Sequence, residues 1–398
     1  MHVLWLIPAY YSFLVEELVA LAPLVGRCSV ISPAEAQPIA GVTTASIPAD
    51  VLTPRRIAGR AVNLARTASH SPLPTSATDL RKLRRLARLN EFITDFVRRE
   101  QVDVVHSHFA MPEGSGGWQA AAGAPVVLTL RGVDILTVPD HGYGFMLSRF
   151  YRRSLAIALR SVACITVASR QSYDAAVAAG APPDRLRIIP NGVNLTTFSQ
   201  DQAAADRVRE RLGLGRHPVI AAAGNLTGTK AFDRLVDAFG AVLGNPAFAA
   251  WKLVIAGEGP ERSKLEGMIA SRGLGGSVLL PGRLAGPDVG GLLSAASLLV
   301  HPSLSEGFGN IVLEAMASGC PVLATATGAA RDLITDKLNG RLVEAGDTDA
   351  LRVALGEMLA DGDSRVRYAV AAAAGVRDRF TIQARAAAFA HLYESLAA

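Results

Sequence analysis

Glu306 and Glu314 stand with seven residues between them in the run His301-Pro302-Ser303-Leu304-Ser305-Glu306-Gly307-Phe308-Gly309-Asn310-Ile311-Val312-Leu313-Glu314-Ala315-Met316-Ala317-Ser318-Gly319-Cys320-Pro321-Val322. The apolar residues up to His301 read as a strand, and Gly307 and Gly309 as a loop whose backbone can approach a ligand closely. A helix expected to start near Asn310 would aim its first amides and the positive end of its dipole at that loop, which favours a phosphate. Glu314, one turn into the helix, is placed to accept from ribose hydroxyls. Glu306, on the loop, is placed to accept from a sugar, since carboxylates accept hydrogen bonds in pairs. An ordinary strand–turn–helix with two solvated glutamates gives the same pattern.

Other reactive side chains follow other apolar runs. Gly224-Asn225-Leu226-Thr227-Gly228-Thr229-Lys230 comes after Val219–Ala223. A lysine at a strand end is a compact charge suited to a diphosphate, or else an ordinary surface lysine. Gly257-Glu258-Gly259-Pro260 and Pro281-Gly282-Arg283-Leu284 read as turns after two further strands. In the first half, His106-Ser107-His108-Phe109 closes a strand, where alternate residues share a face; no third metal ligand is evident. Arg131, in Leu128-Thr129-Leu130-Arg131-Gly132-Val133-Asp134, offers a guanidinium for a phosphate or an ion pair to Asp134. Tyr10, Tyr11 and Ser12 form a loop fitted either to stacking on an acceptor or to core packing. Asp347-Thr348-Asp349 has a metal-binding form, but it precedes a helix and reads as its cap.

Together these motifs resemble the family 4 glycosyltransferases of the GT-B fold. The resemblance rests on the Glu306–Glu314 spacing, with Gly-Phe-Gly after the first and Ala-Met-Ala-x-Gly-x-Pro-Val after the second, and it covers nearly the whole chain. It implies two Rossmann-like, doubly wound parallel-sheet domains facing across a cleft. It also implies a retaining, metal-independent transfer of a sugar from a nucleotide-diphosphate co-substrate to a hydroxyl, with no cofactor. On this resemblance Glu306 meets the donor sugar, and Phe308 and Gly309, flanked by Gly307 and Asn310, meet the diphosphate. Glu314 meets the ribose, and Lys230, beside Gly224 and Asn225, the diphosphate. Gly257 lines the nucleotide side, Arg283 and Leu284 belong to the loop against the base, and His108 lines the cleft. The catalytic set is then Glu306, Lys230, His108 and Arg131, with Tyr10, Tyr11, Ser12 and Asp134 on the acceptor side.

The sequence also departs from the family pattern. Asn225 replaces an arginine, Ala231 replaces the glycine after the lysine, Arg131 stands where many relatives have histidine, and residues 8–13 lack a Gly-Gly pair. Arg131 is expected to offset part of the charge missing at Asn225. A nucleotide-sugar 2-epimerase shares the architecture, and the departures leave room for a non-catalytic sugar-nucleotide-binding subunit.

To hold these residues the chain needs strands alternating with helices. Val3–Ile7, Val102–His106, Pro125–Leu130, Cys164–Ala168 and Arg187–Ile189 read as buried strands; so do Val219–Ala223, Leu253–Ala256, Val278–Leu280, Ser297–His301 and Pro321–Ala324. This rhythm implies parallel sheets covered on both faces, with ligands beyond the strands' carboxyl ends. Turn residues at Pro190-Asn191-Gly192 put the boundary near 198, giving an acceptor domain over 1–198 and a donor domain over 199–398. A last helix over about 382–396 is free to return to the first domain.

A length of 398 residues suits two domains, and 50% hydrophobic residues suffice for two cores. The net charge of +5 comes from the first 200 residues, with 20 Lys/Arg against 14 Asp/Glu. That balance fits an anionic ligand or membrane surface, and no recognition motif points to nucleic acid. Cys28, Cys164 and Cys320 form no CxxC pair and fit a reducing compartment. No apolar run reaches the roughly 20 residues that span a bilayer, so a cytoplasmic protein, at most peripheral to the inner membrane face, is expected. Residues 79–100 combine arginines with periodic leucines and suit either anionic lipid or the core. The partners expected are a nucleotide sugar and a glycan or lipid-linked acceptor.

Overall fold

The computed structural model describes residues 1–9, 11–33, 35–48, 51, 77–110 and 123–398, with side chains from 85 onward in the helix that begins at Ala77. The chain divides into two units: Met1–Pro190 with Ile382–Ala398, and Asn191–Thr381. The first break therefore falls earlier than residue 198, and the chain enters and leaves unit 2 side by side. Val193 N donates to Phe380 O at 2.8 Å there, and Val193 bridges Thr381.

Unit 1 has β1 (His2–Leu6), α1 (Ser12–Leu21), β2 (Arg27–Ser32), β3 (Thr43–Ser46), α2 (Ala77–Arg99), β4 (Val104–His108) and β5 (Val126–Thr129). It continues with α3 (Arg149–Ser161), β6 (Cys164–Val167), α4 (Arg170–Ala178) and β7 (Leu186–Ile188). Among the described residues its strands lie in the order β3-β2-β1-β4-β5-β6-β7, all parallel. β1 is buried along its whole length because helices cover both faces of such a sheet, which is why it reads as an unbroken apolar run.

Unit 2 has α5 (Gln202–Arg211), β8 (Val219–Ala223), α6 (Phe232–Leu243), β9 (Lys252–Ala256), α7 (Arg262–Ser271), β10 (Val278–Gly282), α8 (Gly286–Ala295) and β11 (Leu298–His301). Then follow α9 (Asn310–Ala317), β12 (Val322–Thr325), α10 (Ala330–Leu333), β13 (Arg341–Val343), α11 (Thr348–Ala360) and α12 (Gly362–Arg377). Its strand order is β10-β9-β8-β11-β12-β13, again parallel. Both sheets start in the middle and reverse direction, so each is doubly wound, with its switch point between β1 and β4 or between β8 and β11.

The last helix, α13 (Ile382–Ala397), belongs to unit 1. Its Ile382, Arg385, Ala386, Phe389, Ala390 and Tyr393 are buried at helical spacing, and Phe389 and Tyr393 join Trp5 and Leu18 in one core cluster. In α2, Leu86, Leu89, Ile93, Phe96 and Val97 are buried and leave Arg98 and Arg99 exposed. From Leu86 on, the apolar face of that helix is thus buried, with Leu89, Ile93, Phe96 and Val97 in the core cluster. Leu80 and Leu83, and with them Arg81, Lys82 and Arg84, have side chains outside the described residues. Asp347 caps α11, accepting from Ala350 N at 2.8 Å, which explains the Asp-Thr-Asp triplet.

Candidate active site

The loops after β8 and β9 are fastened to each other by backbone. Gly224 N donates to Ala256 O at 3.0 Å, Leu226 N to Glu258 O at 2.9 Å and Glu261 N to Leu226 O at 2.9 Å. The approach is so close that a Cβ on Gly257 would lie 1.8 Å from Gly224 O. This platform, with the turn after β10 and the start of α9, bounds a cavity of about 250 Å³. Asn225, Glu258, Arg283, Leu284, Ile311 and Glu314 line it. It lies beyond the carboxyl ends of the strands, where ligands of open α/β sheets bind. Glu314 is half-buried in its wall, and Asn225 and Arg283 are exposed.

Lys230 ends a short 3-10 turn, Gly228–Lys230. Its Cε runs 3.5 Å from where a Cβ on Gly224 would stand, so its stem borders the same platform. Its ammonium pairs with Glu306 Oε1. Ser303 Oγ donates to that oxygen at 2.8 Å, and His301 Nε2 lies 3.1 Å from it. Burial pushes the Glu306 carboxyl up, but Lys230 and His301 reverse this and hold it well below the usual carboxylate range. The Glu306 loop is tied down from two sides. Leu304 N donates to Thr229 O at 2.8 Å, and Ala329 N to Phe308 O at 2.9 Å. Gly309 caps α9 at φ +89°, a conformation open to glycine. Phe308 is buried while Gly307 and Asn310 are partly exposed, and Asn310 Oδ1 accepts from Asn191 at 2.7 Å. Ala231, in the glycine position of the family pattern, sits at φ +50°, a left-handed conformation that costs a non-glycine residue about 1 kcal/mol.

Unit 1 holds the remaining expected residues. His108 is wholly buried and accepts from Arg131 Nη2 at 2.8 Å. Arg131 was expected to serve a phosphate or to pair with Asp134, and its side chain is found on other partners. Its guanidinium lies 3.2 Å from Glu17 Oε2 and over the Phe13 ring, and only its backbone N–H reaches Asp134, at 2.7 Å. Asp134, expected on the acceptor side, is fully buried and fastens its loop, also accepting from Ala110 N at 2.9 Å and Tyr151 at 3.1 Å. Tyr11 is 44% exposed and stacks on Phe13, Ser12 is exposed, and Tyr10 lies outside the described residues. Among the described residues no cluster of three His, Cys, Asp or Glu could hold a metal.

Sequence reasoning did not assign Ser303 and His301 as partners of Glu306, although both lie in the motif that contains it. Glu17 and Arg385 gave no local signal, because they meet only after folding.

Two family models divide the chain between them. Glycosyltransferase Family 4 matches residues 30–197 and Glycosyl transferases group 1 matches residues 205–374. The D-inositol 3-phosphate glycosyltransferase of Xylanimonas cellulosilytica is 32% identical over 305 residues, 73% of this chain and 71% of that relative. The chain is a family 4 glycosyltransferase. It is also similar to the GDP-mannose-dependent alpha-(1-6)-phosphatidylinositol monomannoside mannosyltransferase of Mycolicibacterium smegmatis, at 28% identity over 289 residues, 69% of this chain and 75% of the relative. Among solved structures, Anabaena HepE in complex with UDP-glucose matches over 100% of both chains with a TM-score of 0.78 at 21% identity. This family 4 glycosyltransferase therefore has the GT-B fold.

Proposed function

We propose that this glycosyltransferase moves a sugar from a nucleotide-diphosphate donor to a hydroxyl with retention of configuration, without a metal, in the synthesis of a cell-envelope polysaccharide or glycolipid. The observation that carries the reading is the cavity at the ends of β8, β9 and β10, with Glu314 in its wall and the Lys230–Glu306 pair beside it. In this reading Glu314 accepts from the ribose and the turn after β10 meets the base. An ammonium has three donors, so Lys230 can hold Glu306 and a departing phosphate together. The contacts on Glu306 converge on Oε1, which leaves Oε2 for a hydroxyl of the donor sugar. Arg283 brings a cation to the wall that Asn225 leaves neutral.

The anomeric carbon–oxygen bond breaks toward the nucleotide diphosphate, and the acceptor oxygen attaches on the same face. The hydroxyl proton passes to the leaving phosphate oxygen, so no side-chain nucleophile is needed, and Lys230 and the amides of the 307–310 loop stabilise the charge that develops. A lipid-linked or glycan acceptor is supported by the phosphatidylinositol monomannoside in the name of the Mycolicibacterium relative. No described helix is long and apolar enough to cross a membrane. The contact proposed with anionic lipid at the inner membrane face is therefore electrostatic, through Arg98 and its neighbours.

Thermal shift with UDP-, GDP- and ADP-sugars tests the donor site: a cognate sugar at 100 times its Kd stabilises by about 2.7 kcal/mol. Glu314→Gln should weaken that shift. NMR of the product should show the donor's anomeric configuration, and turnover should survive a chelator. An inverted product would remove the retaining assignment, and absence of any donor shift would remove the cavity's assigned role.

A further inference from the structure

Near the carboxyl ends of β1, β4 and β5 the core of unit 1 is polar, and a guanidinium sets the direction of the hydrogen bond to one of its two histidines. Two arginines share Glu17 of α1. Arg385 Nε of α13 lies 2.6 Å from Oε1 and Arg131 Nη2 3.2 Å from Oε2, all three side chains being buried. Arg385 is itself anchored by donating to the Ile189 and Pro190 carbonyls at 2.7 and 2.6 Å. The Nη2 of Arg131 also reaches His108 Nδ1 at 2.8 Å. A guanidinium only donates and stays charged. Nδ1 must therefore accept, and in a neutral imidazole the proton then sits on Nε2.

The neighbouring ring, His106, is 4.0 Å from His108. Its Nδ1 lies 2.5 Å from the Tyr393 hydroxyl, which accepts from Trp5 Nε1 at 3.1 Å, and its Nε2 lies 2.6 Å from Thr129 Oγ1, itself 2.5 Å from Thr166 Oγ1. Hydroxyls can give or accept, so only the guanidinium at His108 sets a direction for a histidine ring in this cluster.

We propose that Arg131, set by Glu17 and Arg385, is a positioning residue that fixes His108 as the neutral Nε2–H tautomer, a hydrogen-bond donor and not a base. Burial, then His106, Arg131 and Arg385, hold the His108 ring well below the ordinary imidazole range. A group that meets Nε2 must offer a lone pair, as a hydroxyl or phosphate oxygen does, and His108 cannot take the acceptor's proton. The proposal concerns the unliganded chain, so its failure is separate from failure of the donor-site reading.

Nitrogen-15 NMR of the full chain with ring-labelled histidine tests it, His108 being assigned by the signal lost in His108→Gln or, should that variant not fold, by the signal that moves in Arg131→Lys. The wild type should show a pyridine-like Nδ1 and a pyrrole-like Nε2 at His108, unchanged from about pH 8 to about pH 6. Arg131→Lys, whose ammonium also only donates, should preserve the pattern. Arg131→Met should bring up a second population protonated on Nδ1. A wild-type ring that carries its proton on Nδ1, or that titrates in this range, overturns the proposal; so does an unchanged pattern in Arg131→Met. Should the Met variant not fold, the wild-type and Lys spectra decide.

Discussion

Glu306 stays ionised where burial alone would neutralise it, because Lys230, Ser303 and His301 all converge on one of its oxygens. Its pKa is depressed on folding, so the stability it contributes is complete above the ordinary value of 4.5 and is lost as pH falls toward the folded value. Glu306→Gln should therefore destabilise the protein at pH 7 by about 1–3 kcal/mol and flatten its loss of stability below about pH 4.5. Urea midpoints at two pH values measure both effects, and parallel losses in the two proteins would show that another group is responsible. The residue itself was legible in the sequence, because its spacing to Glu314 and the Gly-Phe-Gly after it match a family pattern that a lone strand–turn–helix would not require. Its partnership with Lys230 was not, since the two lie on different loops and only the turn Gly228–Lys230 brings them together. Arg131 was legible as an unusual cation but not in its use, which depends on Glu17 from a distant helix.

Elements were readable where buried residues form an apolar run. β8 matches its apolar run residue for residue, and β1, β5, β6 and β11 differ from theirs by a residue or two at the ends. β2, β3 and β13 were not read as strands. β3 and β13 are short and lie at the sheet edges, and Thr43–Ser46 carries no apolar run because part of it faces solvent, whereas β2 is buried inside the sheet but its serines interrupt the apolar run. The Gly257-Glu258-Gly259-Pro260 turn looked like an ordinary tight turn, and its backbone contact with Gly224 appears only in three dimensions. A methyl at Gly257 has a carbonyl 1.8 Å away and no flexible neighbour to displace. Gly257→Ala should cost about 2–3 kcal/mol, a fall in Tm of about 4–10 °C, and should weaken nucleotide binding with it. A Tm equal to the wild type would mean that the two loops can separate without cost.

The two units differ in how they should respond to acid. Unit 1 buries His2, His106 and His108, each with its pKa lowered chiefly by burial from an ordinary 6.5. Groups depressed on folding stabilise above their unfolded pKa, so unit 1 should weaken once the pH drops below about 6.5. Asp134 acts in the opposite sense, since burial raises its pKa, but it is one group against three. Unit 2 has its large shift at Glu306 and should weaken only below about 4.5. Amide exchange followed from pH 7 to about pH 5 should show strands of the first sheet opening ahead of those of the second, and the reverse order would contradict this account. The two-sheet plan was readable from alternation alone, and so was a last helix from about 382 free to return to the first domain; the break at Pro190 was not, and where α13 packs is seen only in the fold. That packing has a consequence for biosynthesis. The Asn191–Thr381 half is continuous and can mature as soon as its own residues leave the ribosome, whereas the half translated first must wait, with the Trp5 seat for Phe389 and Tyr393 unfilled, until the final helix arrives. Until α13 is made, the nascent N-terminal half thus carries an uncovered apolar seat beside Trp5.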